Sequence, residues 1–167
     1  MEIVEFKMKY KALIFDVDGT LAETEELHRE AFNLTFKKLH LNWYWDVDIY
    51  KELLKVSGGK ERLIFYNHYF QTKTEAIDKK KLLLIHHEKT IIYAKTLQKK
   101  KLQLRPGVAD LIKQAQEKKM KLAIATATSL KNVDSLINNI WGTPNNKIFQ
   151  VIGSSDDVSK KKHSPEV

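Results

Sequence analysis

Three short apolar runs occur along the chain and predict buried strands. Residues 11–15 (KALIF) are followed directly by Asp16, and residues 121–125 (KLAIA) are followed directly by Thr126. Residues 149–153 (FQVIG) lead into a polar stretch. Continuous apolar runs of about five residues are typical of strands buried in a parallel sheet. We therefore expect such a sheet, with Asp16 and Thr126 at the carboxyl-terminal edge of its strands.

Helical spacing of apolar residues predicts two helices that flank the second run. In residues 129–140, four apolar side chains fall on one helical face behind Ser129, which is the expected N-cap. Residues 108–115 repeat the pattern behind Pro106-Gly107, where proline favours a helix start. The order of strand, long excursion, helix, strand, helix and strand is typical of a doubly wound α/β fold.

The long excursion, residues 23–104, is predicted to be helical throughout. Residues 76–101 form a long amphipathic pattern with lysine on the polar side, and Gly58-Gly59 is a break between two helices. The aromatic residues 43–45 are expected to pack in the core of this helical lobe. A further apolar helical face is expected to comprise Leu27, Ala31, Phe32, Leu34, Phe36 and Leu39.

These elements predict an α/β fold with two parts. Residues 1–22 and 105–167 are expected to form a Rossmann-like core around a parallel sheet. Residues 23–104 are expected to form an α-helical cap inserted after the first strand. The length of 167 residues, with 43% hydrophobic and 30% charged residues, suits a globular chain and excludes a disordered one.

The absence of certain residues and segments excludes several function classes. The chain has no cysteine, which excludes disulfides, thiolate metal sites and thiol nucleophiles. No apolar run is long enough to span a membrane, and the amino terminus does not have the pattern of a signal peptide. We therefore expect no membrane partner and a cytoplasmic location, or the plastid stroma if a transit peptide has been removed.

The net charge of +8 raises nucleic acid as a partner, but its distribution argues against one. Residues 72–121 carry 14 basic and 5 acidic residues, so the excess lies in one block of the chain. Nearly all of these cations are lysines, whereas phosphate and base recognition favours arginine. We interpret the block as a solvated helical face and expect no nucleic-acid partner; a nucleic-acid adaptor remains an alternative that salt-dependent probe binding would test.

The segment Asp16-Val17-Asp18-Gly19-Thr20 carries the clearest chemistry. Of two carboxylates two positions apart at a strand end, one can act as a nucleophile or bind a metal while the other transfers protons. A solvated Asp-Gly turn is the structural alternative. Thr126 and a lysine among residues 160–162 would follow the other two strands, and they could supply a hydroxyl donor and a cation for phosphoryl transfer.

The chain resembles the haloacid dehalogenase superfamily of phosphatases with a helical cap after the first strand. Within it, the chain is most similar to the CbbY-type sugar-bisphosphate phosphatases, whose substrate is xylulose 1,5-bisphosphate. The segments that carry this resemblance are FDVDGTLAETEELHREAF (15–32), WYWDVDIYKELLKVSGGKER (43–62), LRPGV (104–108), IATATS (124–129) and KKKHSPEV (160–167).

The resemblance implies a role for each matching core residue. Asp16 would be the nucleophile and a ligand of Mg²⁺, and Asp18 would be the acid/base and offer its backbone carbonyl to the metal. Thr126, with Ala127 beside it, would hold the transferring phosphoryl group. Lys162 would stand at the lysine of the third family motif, although the proline expected after it is His163 here.

The cap residues are implied to bind the rest of the substrate. Glu25 and His28 match positions that face the sugar phosphate, although His28 could instead lie on the wet face of its helix. A cap loop with glycine amides and two cations would bind the phosphate that is not cleaved, or would be a simple turn between helices. That loop comprises Gly58, Gly59, Lys60 and Arg62.

The resemblance predicts a Mg²⁺-dependent phosphatase that acts on a small sugar phosphate or bisphosphate through an aspartyl phosphate. We expect the chain to be a monomer. The alternatives are a sugar phosphomutase of the same fold and a catalytically silent protein that binds phosphorylated ligands. Family members continue beyond the third-motif lysine into a strand with further acidic metal ligands, whereas this sequence ends at Val167. The resemblance therefore implies a carboxyl-terminally truncated chain whose core sheet lacks its last strands.

Overall fold

A computed structural model describes residues 10–71, 77–144 and 147–158 of the chain. Its sheet has three parallel strands in the order β1-β2-β3: β1 (Ala12–Phe15), β2 (Lys121–Ala125) and β3 (Val151–Gly153). The parallel α/β prediction is confirmed. The third strand begins two residues later than predicted, because the buried residue Phe149 belongs to the segment that precedes it.

In the described residues, six helices accompany the sheet, five of them between β1 and β2 and four of those five within the excursion of residues 23–104. They are α1 (Glu25–Lys38), α2 (Val47–Leu53), α3 (Gly59–Tyr69), α4 (Lys79–Lys99), α5 (Val108–Glu117) and α6 (Leu130–Trp141). The described residues of the excursion therefore form helices joined by short connections, as the sequence predicts, and α4 is somewhat shorter than the 76–101 pattern.

Local capping explains where these helices begin. The Ser129 side chain accepts a hydrogen bond from the Asn132 amide and caps α6, as predicted. Asp46 and Asp78 cap α2 and α4 in the same way. Gly58, at φ 95°, precedes α3 in a conformation that disfavours residues with a Cβ. The predicted Gly58-Gly59 break thus separates α2 from α3.

One hydrophobic cluster fills the space between the sheet and its helices. Phe15, Leu122 and Ile124 belong to it together with residues of α5 and α6, so both helices pack against the same sheet face. On the opposite face, Ile14 and Val151 are 69% and 64% exposed. The strands are therefore buried on one face only, because the described helices cover only that face of the sheet.

A second cluster, rich in aromatic side chains, forms the core of the helical lobe. Trp43 and Trp45 pack there against Phe36 with ring centroids 5.5 and 5.0 Å away. Two expectations for this lobe are wrong. Leu34 is 48% exposed because it lies off the α1 face that packs against α4, and Tyr44 is 63% exposed because it points to solvent between the two buried tryptophans.

The helices α1 and α4 belong to both clusters. Leu27 and Leu97 pack with the sheet cluster, whereas Phe32 and Ile85 pack with the aromatic cluster. The two clusters thus share α1 and α4, and the proposed boundaries between core and cap, after residues 22 and 104, stay a prediction. In the described part of the chain, no helix is long and apolar enough to cross a membrane.

Candidate active site

A cavity of about 280 Å³ opens where the carboxyl ends of the strands face the helical lobe. Its floor comes from the segments that follow the three strands, and its walls come from α1, the start of α3 and α4. Ten residues predicted from the sequence line it together: Asp16, Asp18, Glu25, His28, Gly58, Gly59, Lys60, Arg62, Thr126 and Ala127. The predicted Lys162 lies outside the described residues.

The turn after β1 directs both aspartates into the cavity. Phe15 and Val17 are buried in the sheet cluster, so the alternation of side chains places Asp16 and Asp18 on the other side. Backbone hydrogen bonds from the amides of residues 20 and 21 to the Val17 carbonyl close the turn. Gly19, at φ 71°, gives the chain the left-handed residue that this turn requires.

Arg105, in the segment that leads from the helical excursion into α5, is hydrogen-bonded to this turn. Its amide donates to the Leu21 carbonyl over 2.9 Å, and its guanidinium Nη1 donates to the Gly19 carbonyl. Nη1 also lies 2.9 Å from a carboxylate oxygen of Glu23. The segment that ends the helical excursion is thus tied directly to the loop that carries the two aspartates.

A chain of hydrogen bonds runs from Asp18 into the helical lobe. The Thr24 hydroxyl donates to Asp18 Oδ1 over 2.5 Å, and His28 Nε2 lies 3.1 Å from the same oxygen. On its other side, His28 Nδ1 lies 2.5 Å from Lys89 Nζ, and the imidazole stacks on Tyr93 at 4.2 Å between ring centroids. His28 is 4% exposed, which rules out the alternative of a wet helix face.

The pKa values of this chain determine its protonation states. Burial opposes ionisation of Asp18, but His28, the Thr24 hydrogen bond and Lys89 outweigh it and lower the Asp18 pKa to about 2. Burial and the charge of Lys89 lower the pKa of His28 to about 4. At neutral pH a neutral His28 therefore donates from Nε2 to the Asp18 carboxylate and accepts at Nδ1 from Lys89.

Lys89 is a residue of the cavity that the sequence reasoning missed. Its side chain is 3% exposed, lies within 4.8 Å of the Phe32 ring centroid, and lines the cavity. Its burial could have been predicted from its spacing in α4. Lys89 follows Ile85 by four residues and precedes Tyr93 by four, which places it on the apolar face of the helix. The surrounding lysines obscured that pattern.

The buried Lys89 should make stability depend on pH. Burial lowers its pKa from 10.5 to about 7, so between these values the unfolded chain holds a proton that the folded chain does not. The free energy of unfolding should therefore rise with pH across this window. Urea unfolding from pH 7 to 10 should show the wild-type chain gaining several kcal/mol relative to Lys89→Met. Equal pH slopes for the two chains would contradict this assignment.

Glu25, Tyr50 and Arg62 form a second network on the cap side of the cavity. The Tyr50 hydroxyl donates to Glu25 Oε2 over 3.2 Å, and Arg62 Nη1 donates to the Tyr50 oxygen over 3.3 Å. Arg62 Nη1 also lies 3.8 Å from the Glu25 carboxylate. Burial raises the pKa of Glu25 against the opposing charge of Arg62. Tyr50 was not among the residues predicted from the sequence.

The start of α3 approaches α4 closely at Gly59. A Cβ at this position would lie 3.0 Å from His86 Nε2 and 3.4 Å from Phe32 Cζ. A glycine at position 59 thus lets the cap segment that carries Lys60 and Arg62 lie against the two long helices at the cavity wall.

The segments after β2 and β3 complete the floor. Thr126 is buried, its amide donates to the Gly153 carbonyl over 3.0 Å, and its hydroxyl oxygen accepts from the Thr128 amide over 3.2 Å. Asp156 also lines the cavity, and its Oδ2 accepts from the Leu130 amide at the start of α6. The position of Asp156 at the floor was not predicted from the sequence.

The donor set at the floor suits a hard divalent cation. Asp16 and Asp18 line the same cavity and carry oxygen donors, and Mg²⁺ prefers oxygen ligands and keeps several waters. Within residues 10–71, 77–144 and 147–158, no group of three or more acidic, histidine or cysteine side chains is placed to hold a metal. Among the described residues, the two aspartates would give a magnesium ion two protein ligands, and water would complete its coordination.

Comparison with known proteins gives the family. The model of the haloacid dehalogenase-like hydrolases matches residues 13–167. The chain belongs to this family. It is 44% identical to protein CbbY of Cereibacter sphaeroides over 157 residues, which cover 94% of this chain and 67% of that protein. CbbY of Rhodobacter capsulatus is 44% identical over 160 residues, which cover 96% of this chain and 69% of that protein.

A solved structure agrees with this assignment. A mutant of CbbY from Rhodobacter sphaeroides, in complex with xylulose-(1,5)bisphosphate, matches with a TM-score of 0.88 and 44% identity. The match covers 94% of this chain and 68% of that one. The chain thus spans about two thirds of the length of these relatives. Its family and its similarity to CbbY make it a hydrolase of the phosphatase type.

Proposed function

We propose that the chain hydrolyses a phosphate ester of a small sugar bisphosphate, with xylulose 1,5-bisphosphate as the first substrate to test. The observation that carries this proposal is the shared cavity. It joins Asp16 and Asp18 on the floor to Lys60 and Arg62 on the cap side. Carboxylates at one end and cations at the other suit a substrate with one phosphate to cleave and another to hold. The similarity to CbbY supports this reading.

The proposed reaction has two displacements at phosphorus. A carboxylate oxygen of Asp16 forms a bond to phosphorus while the bond from phosphorus to the sugar oxygen breaks, and that oxygen takes a proton from Asp18. A water oxygen then attacks the phosphorus of the aspartyl phosphate and returns a proton to Asp18. Inorganic phosphate leaves and the Asp16 carboxylate is restored.

Asp18 needs both of its protonation states in this sequence. Its low pKa in the free cavity matches the second displacement, in which the carboxylate accepts a proton from water. Before the first displacement it must be protonated. The negative charge of a bound phosphate raises the pKa of a neighbouring carboxyl group, so substrate binding itself favours the uptake of that proton.

Mg²⁺ is proposed as the cofactor. The Asp16 carboxylate and the Asp18 backbone carbonyl would hold it. When bound, such an ion offsets the negative charge that otherwise keeps a carboxylate away from a phosphate. The buried Thr126 hydroxyl and the amides that follow it, including that of Ala127, would donate to the oxygens of the transferring group.

Phosphate release from xylulose 1,5-bisphosphate tests the proposal. The purified chain should release inorganic phosphate with Mg²⁺ and lose this activity with a chelator. If the sugar instead keeps both of its phosphates in a rearranged product, the phosphomutase alternative is correct. If the sugar binds without any turnover in the presence of Mg²⁺, the chain is a silent binding protein. That alternative draws support from the absence of a three-ligand acidic group among the described residues.

A further inference from the structure

Tyr50 lies behind the cavity rather than in its wall. Its side chain is 4% exposed and it is not among the residues that line the cavity. The ring packs in the aromatic cluster, 6.0 Å from that of Trp45. Burial raises the pKa of its hydroxyl well above the usual range, so the group keeps its proton and can donate it.

The Tyr50 hydroxyl uses both of its hydrogen-bonding functions on cavity residues. It donates to the carboxylate of Glu25 from α1, and it accepts from the guanidinium of Arg62 from α3. Both of these residues line the cavity. A single buried hydroxyl on α2 thus sets the separation and orientation of an anion and a cation that belong to two other helices.

Arg62 is restrained by two further contacts. Its Nε donates to the Val56 carbonyl over 3.0 Å, and its guanidinium carbon lies 5.7 Å from the centre of the Tyr50 ring. These contacts fix one edge and one face of the guanidinium group. A side chain that is already ordered loses less conformational freedom when a ligand binds, which increases affinity.

We propose that Tyr50 is a positioning residue for the part of the substrate remote from Asp16. It holds Arg62 for the phosphate that is not cleaved and Glu25 for a neighbouring sugar hydroxyl. This inference rests on the proposed function. It assigns Tyr50 to the discrimination between a sugar bisphosphate and a phosphate monoester that lacks a second anionic group.

The variant Tyr50→Phe tests this role, because it removes only the hydroxyl group and keeps the ring in the aromatic cluster. The KM for xylulose 1,5-bisphosphate should rise about tenfold with little change in kcat, as expected for the loss of hydrogen bonds to charged groups. The ratio of kcat/KM for the bisphosphate to that for p-nitrophenyl phosphate should fall by a similar factor. Tyr66→Phe, a buried tyrosine of the same cluster, is the matched control and should behave like the wild type.

Binding measurements separate this inference from the proposed function. In an Asp16→Asn background, calorimetry should show about tenfold weaker binding of the bisphosphate when Tyr50→Phe is added. In an Arg62→Met background, Tyr50→Phe should have a much smaller effect. A wild-type chain without phosphatase activity would overturn the proposed function. An active wild type with unchanged bisphosphate affinity in Tyr50→Phe would overturn the role of Tyr50, and so would a Tyr50→Phe chain that fails to fold.

Discussion

The variant Asp16→Asn is expected to release inorganic phosphate from xylulose 1,5-bisphosphate at least about a thousandfold more slowly than the wild type. Asparagine has nearly the same shape as aspartate, but its amide cannot attack phosphorus and form an acyl phosphate. The measurement is the steady-state rate of phosphate release with saturating Mg²⁺.

The control for this prediction is Asp110→Asn, which removes the same charge at an exposed position on α5. It should keep close to full activity. Asp16→Asn should also still bind the sugar bisphosphate, because the cap cations are unchanged. A rate within a factor of about ten of the wild type for Asp16→Asn would rule out this residue as the nucleophile.

The variant Lys89→Met is expected to lower kcat roughly 10- to 100-fold. The ammonium group of Lys89 lowers the pKa of Asp18, and it fixes His28 by donating to Nδ1. Without it, His28 loses the partner that selects its Nε2–H tautomer, and the pKa of Asp18 rises. Proton transfer should therefore become slower while substrate affinity changes less.

The pH profile distinguishes this role from simple packing. In the wild type, Lys89 loses its charge as the pH rises through about 7, so kcat should fall on the alkaline side of that value. The Lys89→Met profile should lack this alkaline limb. Lys95→Met, an exposed lysine on the same helix, is the control and should follow the wild-type profile. If Lys89→Met showed the same alkaline limb as Lys95→Met, Lys89 would not control the pKa of Asp18.

Local patterns predicted the parts of this site that depend on short segments. The strand that precedes Asp16, the glycine that turns the chain after Asp18, and the N-cap of α6 are each determined by neighbours in sequence. The shared edge of a parallel sheet then brings Thr126 to the same cavity, as predicted. These features need no knowledge of how the helical lobe packs.

Features that depend on packing between distant helices could not be predicted in this way. Lys89 meets His28 across 61 positions of sequence, and the hydroxyl of Tyr50 meets Glu25 across 25. A lysine in a lysine-rich helix and a tyrosine in an aromatic lobe have ordinary structural interpretations. Their roles follow only from the contact of α4 and α2 with α1.

The exposed strand residues Ile14 and Val151 show where the sequence overestimates burial. Apolar runs predicted buried strands, but Ile14 and Val151 face away from α5 and α6 and are exposed. Hydrophobic character marks a strand as suitable for burial without showing which neighbours are present. The two corrected positions in the helical lobe, Leu34 and Tyr44, have the same physical origin.

Trapping the covalent intermediate tests the central claim most directly. The wild-type chain would be mixed with Mg²⁺ and xylulose 1,5-bisphosphate, quenched in acid within milliseconds to seconds, digested, and analysed by mass spectrometry. We expect one added phosphoryl group on Asp16, sensitive to hydroxylamine as an acyl phosphate is, and absent in Asp16→Asn. Rapid phosphate release with the phosphoryl group on another residue, or with none on Asp16 at any quench time, would contradict the account.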